Sequence, residues 1–191
     1  MTSKVVSNQK AKITQEQKEA AEAQIWEKKK SINYDTREYS VEVLVRKYME
    51  GKDDDTNELF IPDYQRDLVW DEVRQSKFIE SIFLGWPMSY IVVANVYDSK
   101  NDLDRLEVID GGQRIITLAN FINNELILTE LEKLEKLNGF TFSDLPLVRQ
   151  ERFKINRIRT VLLTKDTDEE MRRDLFEKIK LLGANFPGKS Y

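Results

Sequence analysis

Five consecutive residues, Asp110, Gly111, Gly112, Gln113 and Arg114, put a carboxylate, two glycines, an amide and a guanidinium inside the run VIDGGQRIITL at 108–118. These types in this order suit anion chemistry. Val108 and Ile109 close an apolar stretch, and Ile115, Ile116, Leu118, Ala119, Phe121 and Ile122 recur at helical spacing, so the glycines fall between a strand and a helix. The first amides of a helix lack intrahelical acceptors and sit at the positive end of its dipole, an attraction of about 0.3 to 1 kcal/mol for an anion. Glycine lets a phosphate reach that backbone. Gln113 and Arg114 add side-chain donors, and a charge-assisted bond from Arg114 is worth about 1.5 to 3 kcal/mol.

Asp110 sets a conflict, because a carboxylate repels a phosphate unless a cation intervenes. It either helps to hold Mg²⁺ that also touches phosphates, or orients Arg114 or a water. A plainer reading is that Asp110 N-caps the helix and the glycines make a tight turn, and the spacing is not that of a P-loop. Gln65 and Arg66 form a second cluster in IPDYQRDLVW at 61–70, in an irregular stretch where polar side chains converge on ligands. Against that stands Arg66 paired with Asp67 or Asp71, and Trp70 as core.

Other clusters carry less. Arg149, Arg152, Lys154, Arg157 and Arg159 place five cations within eleven residues, and strand alternation puts Arg157 and Arg159 on one face, either as a DNA-facing strip or as a solvated surface. Glu130, Glu132 and Glu135, with Lys133 and Lys136 between, read as an exposed helix. Adjacent acids such as Asp53, Asp54 and Asp55 seldom converge on one cation and read as loop.

The chain of 191 residues has neither cysteine nor histidine, which excludes disulfides, thiolate chemistry, histidine general bases and histidine-centred nuclease chemistry such as that of HNH enzymes. A net charge of −4 lacks the basic excess of a dedicated nucleic-acid binder. No signal peptide and no bilayer-length apolar stretch is visible, so the expectation is a cytoplasmic protein with no membrane partner.

The elements that must position these residues follow from pattern. Thr14 and Gln17 stand at capping-box spacing ahead of a polar helical stretch, with Ile25 and Trp26 as its apolar residues; residues 1–38 read as a helical or flexible extension. Ser40 caps a helix carrying Val41, Leu44, Val45 and Tyr48, and Asp71 caps another that Gly85 and Pro87 stop. Residues 59–61 are extended, YIVVANVY at 90–97 reads as a buried strand, and 105–109 is its hairpin partner. A short helix to about Phe153, a strand within 158–164 and a helix from Asp168 complete a body over 39–180, with 181–191 an irregular tail.

IPDYQRDLVW at 61–70, FIESIFLGWPM at 78–88 and VIDGGQRIITL at 108–118 together resemble the N-terminal domain of GmrSD-type modification-dependent restriction enzymes, and the similarity runs on through LNGFTFSDLP at 137–146 and RRDLFEKI at 172–179. The resemblance implies an α+β, ParB/sulfiredoxin-like mixed sheet flanked by helices. It implies a nucleotide-binding, NTP-hydrolysing regulatory domain of a DNA restriction or antiphage system. Asp110 and Arg114 would act in turnover; Gln65, Arg66, Gly111, Gly112, Gln113 and Arg114 would bind the nucleoside triphosphate, with Mg²⁺ held through Asp110. The expected partners are nucleotide, DNA at Arg157 and Arg159, and a separate nuclease domain or subunit. The family hallmark is Asp-Gly-Gln-Gln-Arg, and Gly112 replaces its third residue, making the turn more flexible and removing a donor. A non-catalytic DNA-binding or protein-recruiting module of the same fold is the alternative, favoured by Gly112 and by an ending, Lys180-Leu181-Leu182-Gly183, that departs from the family and suggests a fragment or divergent form. Nicking by carboxylates and Mg²⁺ needs a second acid near Asp110 that the sequence does not identify.

Overall fold

A strand can be continuously apolar only where both of its faces are covered, and the first half of β3 (Ile91–Asp98), Ile91 to Ala94, meets that condition. Ile91 and Val93 enter one core and Val92 and Ala94 another, on opposite faces of the sheet. The computed structural model describes residues 13–29, 34–65, 69–164 and 168–181, with Lys180 described by its backbone alone. Contacts divide the chain into two units, Met1–Ile32 and Asn33–Tyr191.

The first unit holds α1 (Gln15–Lys29), none of whose residues is buried. The expected capping box is present: the Thr14 amide donates to Gln17 Oε1 at 2.9 Å and the Gln17 amide to Thr14 Oγ1 at 3.2 Å. Ile25 and Trp26 are exposed.

The second unit is a mixed five-stranded sheet between helices, an α+β arrangement. Its strands are β1 (Tyr34–Ser40), β2 (Leu59–Phe60), β3, β4 (Leu103–Asp110) and β5 (Arg157–Leu163), in the spatial order β1-β5-β3-β4-β2. β3 and β4 are the expected antiparallel hairpin, while β5 lies parallel to β3 and β2 parallel to β4. β1 pairs antiparallel with β5 from Tyr34↔Leu163 to Ser40↔Arg157 and was not legible in the sequence. Its residues, YDTREYS, are mostly exposed and carry no apolar alternation. Such a charged edge strand forms because β5 offers it a ladder, and its charges deter pairing with other chains. Residues 34–38, part of the expected extension, therefore lie in the sheet.

Helices α2 (Val41–Met49), α3 (Glu72–Phe83), α4 (Gly112–Ile122) and α5 (Leu147–Lys154) contribute to the larger core, and α6 (Glu169–Leu181) to the smaller one. Ser40 and Asp71 cap α2 and α3, accepting from the amides of Val43 and Arg74 at 3.3 and 2.7 Å. At the larger core's centre, Phe121 stacks edge-on with Phe142 and Phe153 at 5.5 and 5.3 Å between ring centroids.

The exposed helix expected around Glu130, Glu132 and Glu135 does not form. That segment is a series of bends ending in a 3-10 turn, Glu135–Leu137. Leu126, Leu128 and Leu131 are buried without helix or strand, and the buried Glu80 carboxylate accepts from the amides of Lys133 and Leu134, each at 2.8 Å. Tertiary bonds thus override helical propensity. Among the described residues no helix is long and apolar enough to cross a membrane.

Candidate functional site

The turn at 110–114 lies where β4 ends and α4 begins, as its pattern predicts. Gly111, not Asp110, is the N-cap of α4, with a left-handed backbone at φ 101° and no side chain to cap. The capping reading of Asp110 is therefore set aside, because its carboxylate is used elsewhere. Asp110 Oδ2 accepts from Arg114 Nη2 at 2.6 Å, and Arg114 Nη1 donates to the Ser89 carbonyl at 2.6 Å. The Arg114 side chain is 12 % exposed and that of Asp110 27 %. Burial pulls the Arg114 guanidinium below its ordinary value, and Asp110 opposes that pull. The pair answers the electrostatic conflict in the sequence: the carboxylate beside the helix terminus is already matched by a cation.

The backbone explains both glycines differently. A Cβ on Gly111 would stand 3.0 Å from Arg114 Nη2 and 3.0 Å from Ile91 Cγ1, in a conformation that side chains rarely adopt. Gly112 is an ordinary helical residue whose Cβ would meet Ile61 at 3.3 Å and Gln65 Oε1 at 3.4 Å. The second segment thus does border the turn. Gln65 closes the 3-10 turn Asp63–Gln65, is buried, and donates through Nε2 to the carbonyls of Val108 and Ile109.

Gln113 is half-buried, and its Oε1 accepts the Trp70 amide at 3.0 Å. The Trp70 carbonyl accepts from Gln75 Nε2 at 2.9 Å, and Gln75 Oε1 accepts from Asn120 at 3.3 Å. Trp70 itself meets Phe78 edge-on at 5.7 Å and lies under Arg74. Gln65, Gly111, Gly112, Gln113, Arg114 and Asp110 are therefore brought together around the start of α4; Arg66, with Asp67, lies outside the described residues.

Sequence reasoning missed a charged cluster on the other face of β4. Glu107 is 6 % exposed and accepts from the Tyr64 hydroxyl at 2.8 Å and from Arg172 Nε at 2.9 Å. Burial, and then Glu107, pushes the Tyr64 phenol well above its ordinary range. Arg105, 4 % exposed, pairs with Asp98 and Asp55 at 3.0 Å each. The signal was available: a glutamate and an arginine inside the strand LDRLEVID need buried partners.

The basic strip divides. Arg157 and Arg159 do share a face, but both reach Glu38, at 3.3 and 3.5 Å. Tyr90 and Glu38 hold the Arg159 guanidinium above its ordinary value. Arg149 and Arg152 instead line a cleft of about 290 Å³ against Leu84 and Gly85.

No group of three or more carboxylates able to hold a metal occurs among the described residues. Glu107, the nearest acid along the strand, is occupied by Tyr64 and Arg172 on the opposite face. Of these residues only the Asp110 carboxylate could meet a Mg²⁺ ion, which would need bound phosphates to complete its shell.

No curated protein and no solved structure matches the chain. The family model described as GmrSD restriction endonuclease, N-terminal domain, matches residues 41–181, which take in the turn, its Gln65 wall and α6. The chain therefore belongs to the GmrSD N-terminal domain family, a component of restriction or defence systems.

Proposed function

We propose that this domain binds the phosphates of a nucleoside triphosphate at the α4 terminus and hydrolyses it, as a regulatory step in a DNA restriction or defence system. One observation carries the reading: the Arg114 guanidinium, held by Asp110 and the Ser89 carbonyl, is packed against the left-handed Gly111 turn at the start of α4. An anion there gains the dipole and the amides, while the Asp110 pair removes the repulsion an isolated carboxylate would impose. Gln113 Nε2 donates to no protein group among the described residues, so it remains for the ligand, whereas Gln65 acts as a wall. Asp110, through its second oxygen, is the group that would orient a water or touch Mg²⁺ carried by the phosphates; such an ion would supply charge neutralisation.

A specific observation favours the alternative of a module without turnover. Gln65, Gln113 and Arg114 are each already bonded to protein groups, which is what a purely architectural turn would use. Nucleotide binding and phosphate release, measured on the full chain with and without DNA, separate the two. Binding with release supports the first reading; binding without release, in every nucleotide tested, supports the second; absence of binding removes the site.

A further inference from the structure

The 3-10 turn Asp63–Gln65 sits at the edge of β4 and reaches both layers of the fold. Gln65 turns toward the α4 side, where it holds the Val108 and Ile109 carbonyls and borders Gly112. Its neighbour Tyr64 turns toward α6. There its ring meets Phe176 edge-on at 5.2 Å, Arg173 lies 5.8 Å from its centroid, and its hydroxyl joins Arg172 on the buried carboxylate of Glu107. Glu107 thus bonds both the 63–65 turn and α6 on one face of the strand, and the residue after Tyr64 is the wall of the turn on the other.

We propose that Glu107 and Tyr64 are positioning residues that make α6 the lever of the Gly111–Gly112 site, so that α6 docking sets where Gln65 stands against Gly112. The chemistry suits a tether. A buried carboxylate with one of its partners removed is left under-satisfied, so α6 and the 63–65 turn are each held more tightly when the other is in place. Tyr64 and Gln65 are adjacent on one short turn, so a shift of the ring off Phe176 moves the amide that grips β4. Coupling of this kind is reciprocal: a phosphate ligand that fixes Gln65 must also steady α6.

Hydrogen exchange of the full chain tests this without any ligand. Tyr64→Phe keeps the ring and removes only the hydroxyl; Arg172→Lys keeps a cation but loses the guanidinium geometry. Loss of one charge-assisted bond predicts about tenfold faster exchange in both α6 and the 59–65 segment for either variant. Faster exchange confined to the element that carries the substitution overturns the lever. A second arm uses ATP and, separately, inorganic triphosphate as probes, and rests on the proposed phosphate site. In the wild type, saturating probe slows exchange in α6, and in Tyr64→Phe that protection disappears although the probe still binds. Protection of α6 that persists in Tyr64→Phe also contradicts the tether. If neither probe binds the wild type, the phosphate reading fails, and the ligand-free result still decides the coupling.

Discussion

Replacing Gly111 and Gly112 one at a time by alanine separates two glycines that the sequence presents as equals. At Gly111 the backbone has φ 101°, and holding an L-residue there costs about 1 to 3 kcal/mol. The new Cβ would also stand 3.0 Å from both Ile91 Cγ1 and Arg114 Nη2. Ile91 is fully buried and cannot retreat, so Arg114 must move and weaken a bond to Asp110 of the charge-assisted kind, about 1.5 to 3 kcal/mol when lost entirely. With that bond partly lost, the expected total is about 3 kcal/mol, a fall in Tm of roughly 6 to 12 °C for a domain of this size. At Gly112 the backbone is already helical and alanine gains about 0.4 to 1 kcal/mol through the unfolded state, against contacts of 3.3 and 3.4 Å to Ile61 and Gln65. The net change should stay within about 1 kcal/mol. Urea and thermal unfolding of the full chain, followed by circular dichroism, measure both. Equal losses, or a larger loss at Gly112, would refute the account of the turn.

Further outcomes follow from named contacts. Glu80→Ala deprives the Lys133 and Leu134 amides of their carboxylate, with an expected loss of about 3 kcal/mol in denaturant titration and faster exchange at those amides; unchanged exchange would show that the segment holds itself. In any DNA binding, the double variant Arg157→Ala with Arg159→Ala should lower the salt slope by about 1 rather than about 2, because Glu38 already matches one of the two charges; an unaltered slope removes both from the interface. The Thr141 amide, then its hydroxyl, hold the Asp144 carboxyl below its ordinary value of 3.8. A carboxylate depressed in the folded state adds stability above its unfolded value and loses it as pH falls through the folded one, so Asp144→Asn should flatten the acid limb of the stability curve. An acid limb that is the same in both proteins would contradict that assignment.

The strand, turn and helix around Asp110 were legible because the apolar period changes from strand to helix across two glycines. The same holds for the caps Ser40 and Asp71, whose side chains bond the amides expected of them. What remained hidden depends on distant partners. β1 has no periodicity of its own and exists through β5, and the bends around Glu132 exist through Glu80. Within the site, residue types brought Asp110 to Arg114 to the start of α4, but did not show that Gln113 would hold Trp70 or that Gln65 would hold β4. Amides bond as readily to backbone as to phosphate, and only the fold decides between them. Glu107 was overlooked because its two partners come from segments 43 and 65 residues away.

In the proposed site Arg114, packed against the Gly111 turn, holds a phosphate. Isothermal titration of ATP and of inorganic triphosphate into the full-length wild type and Arg114→Ala, with circular dichroism to establish that the variant is folded, tests it most directly. Affinity should fall at least about tenfold in the variant, the lower end of a charge-assisted bond. Equal affinity in a folded Arg114→Ala protein would contradict it.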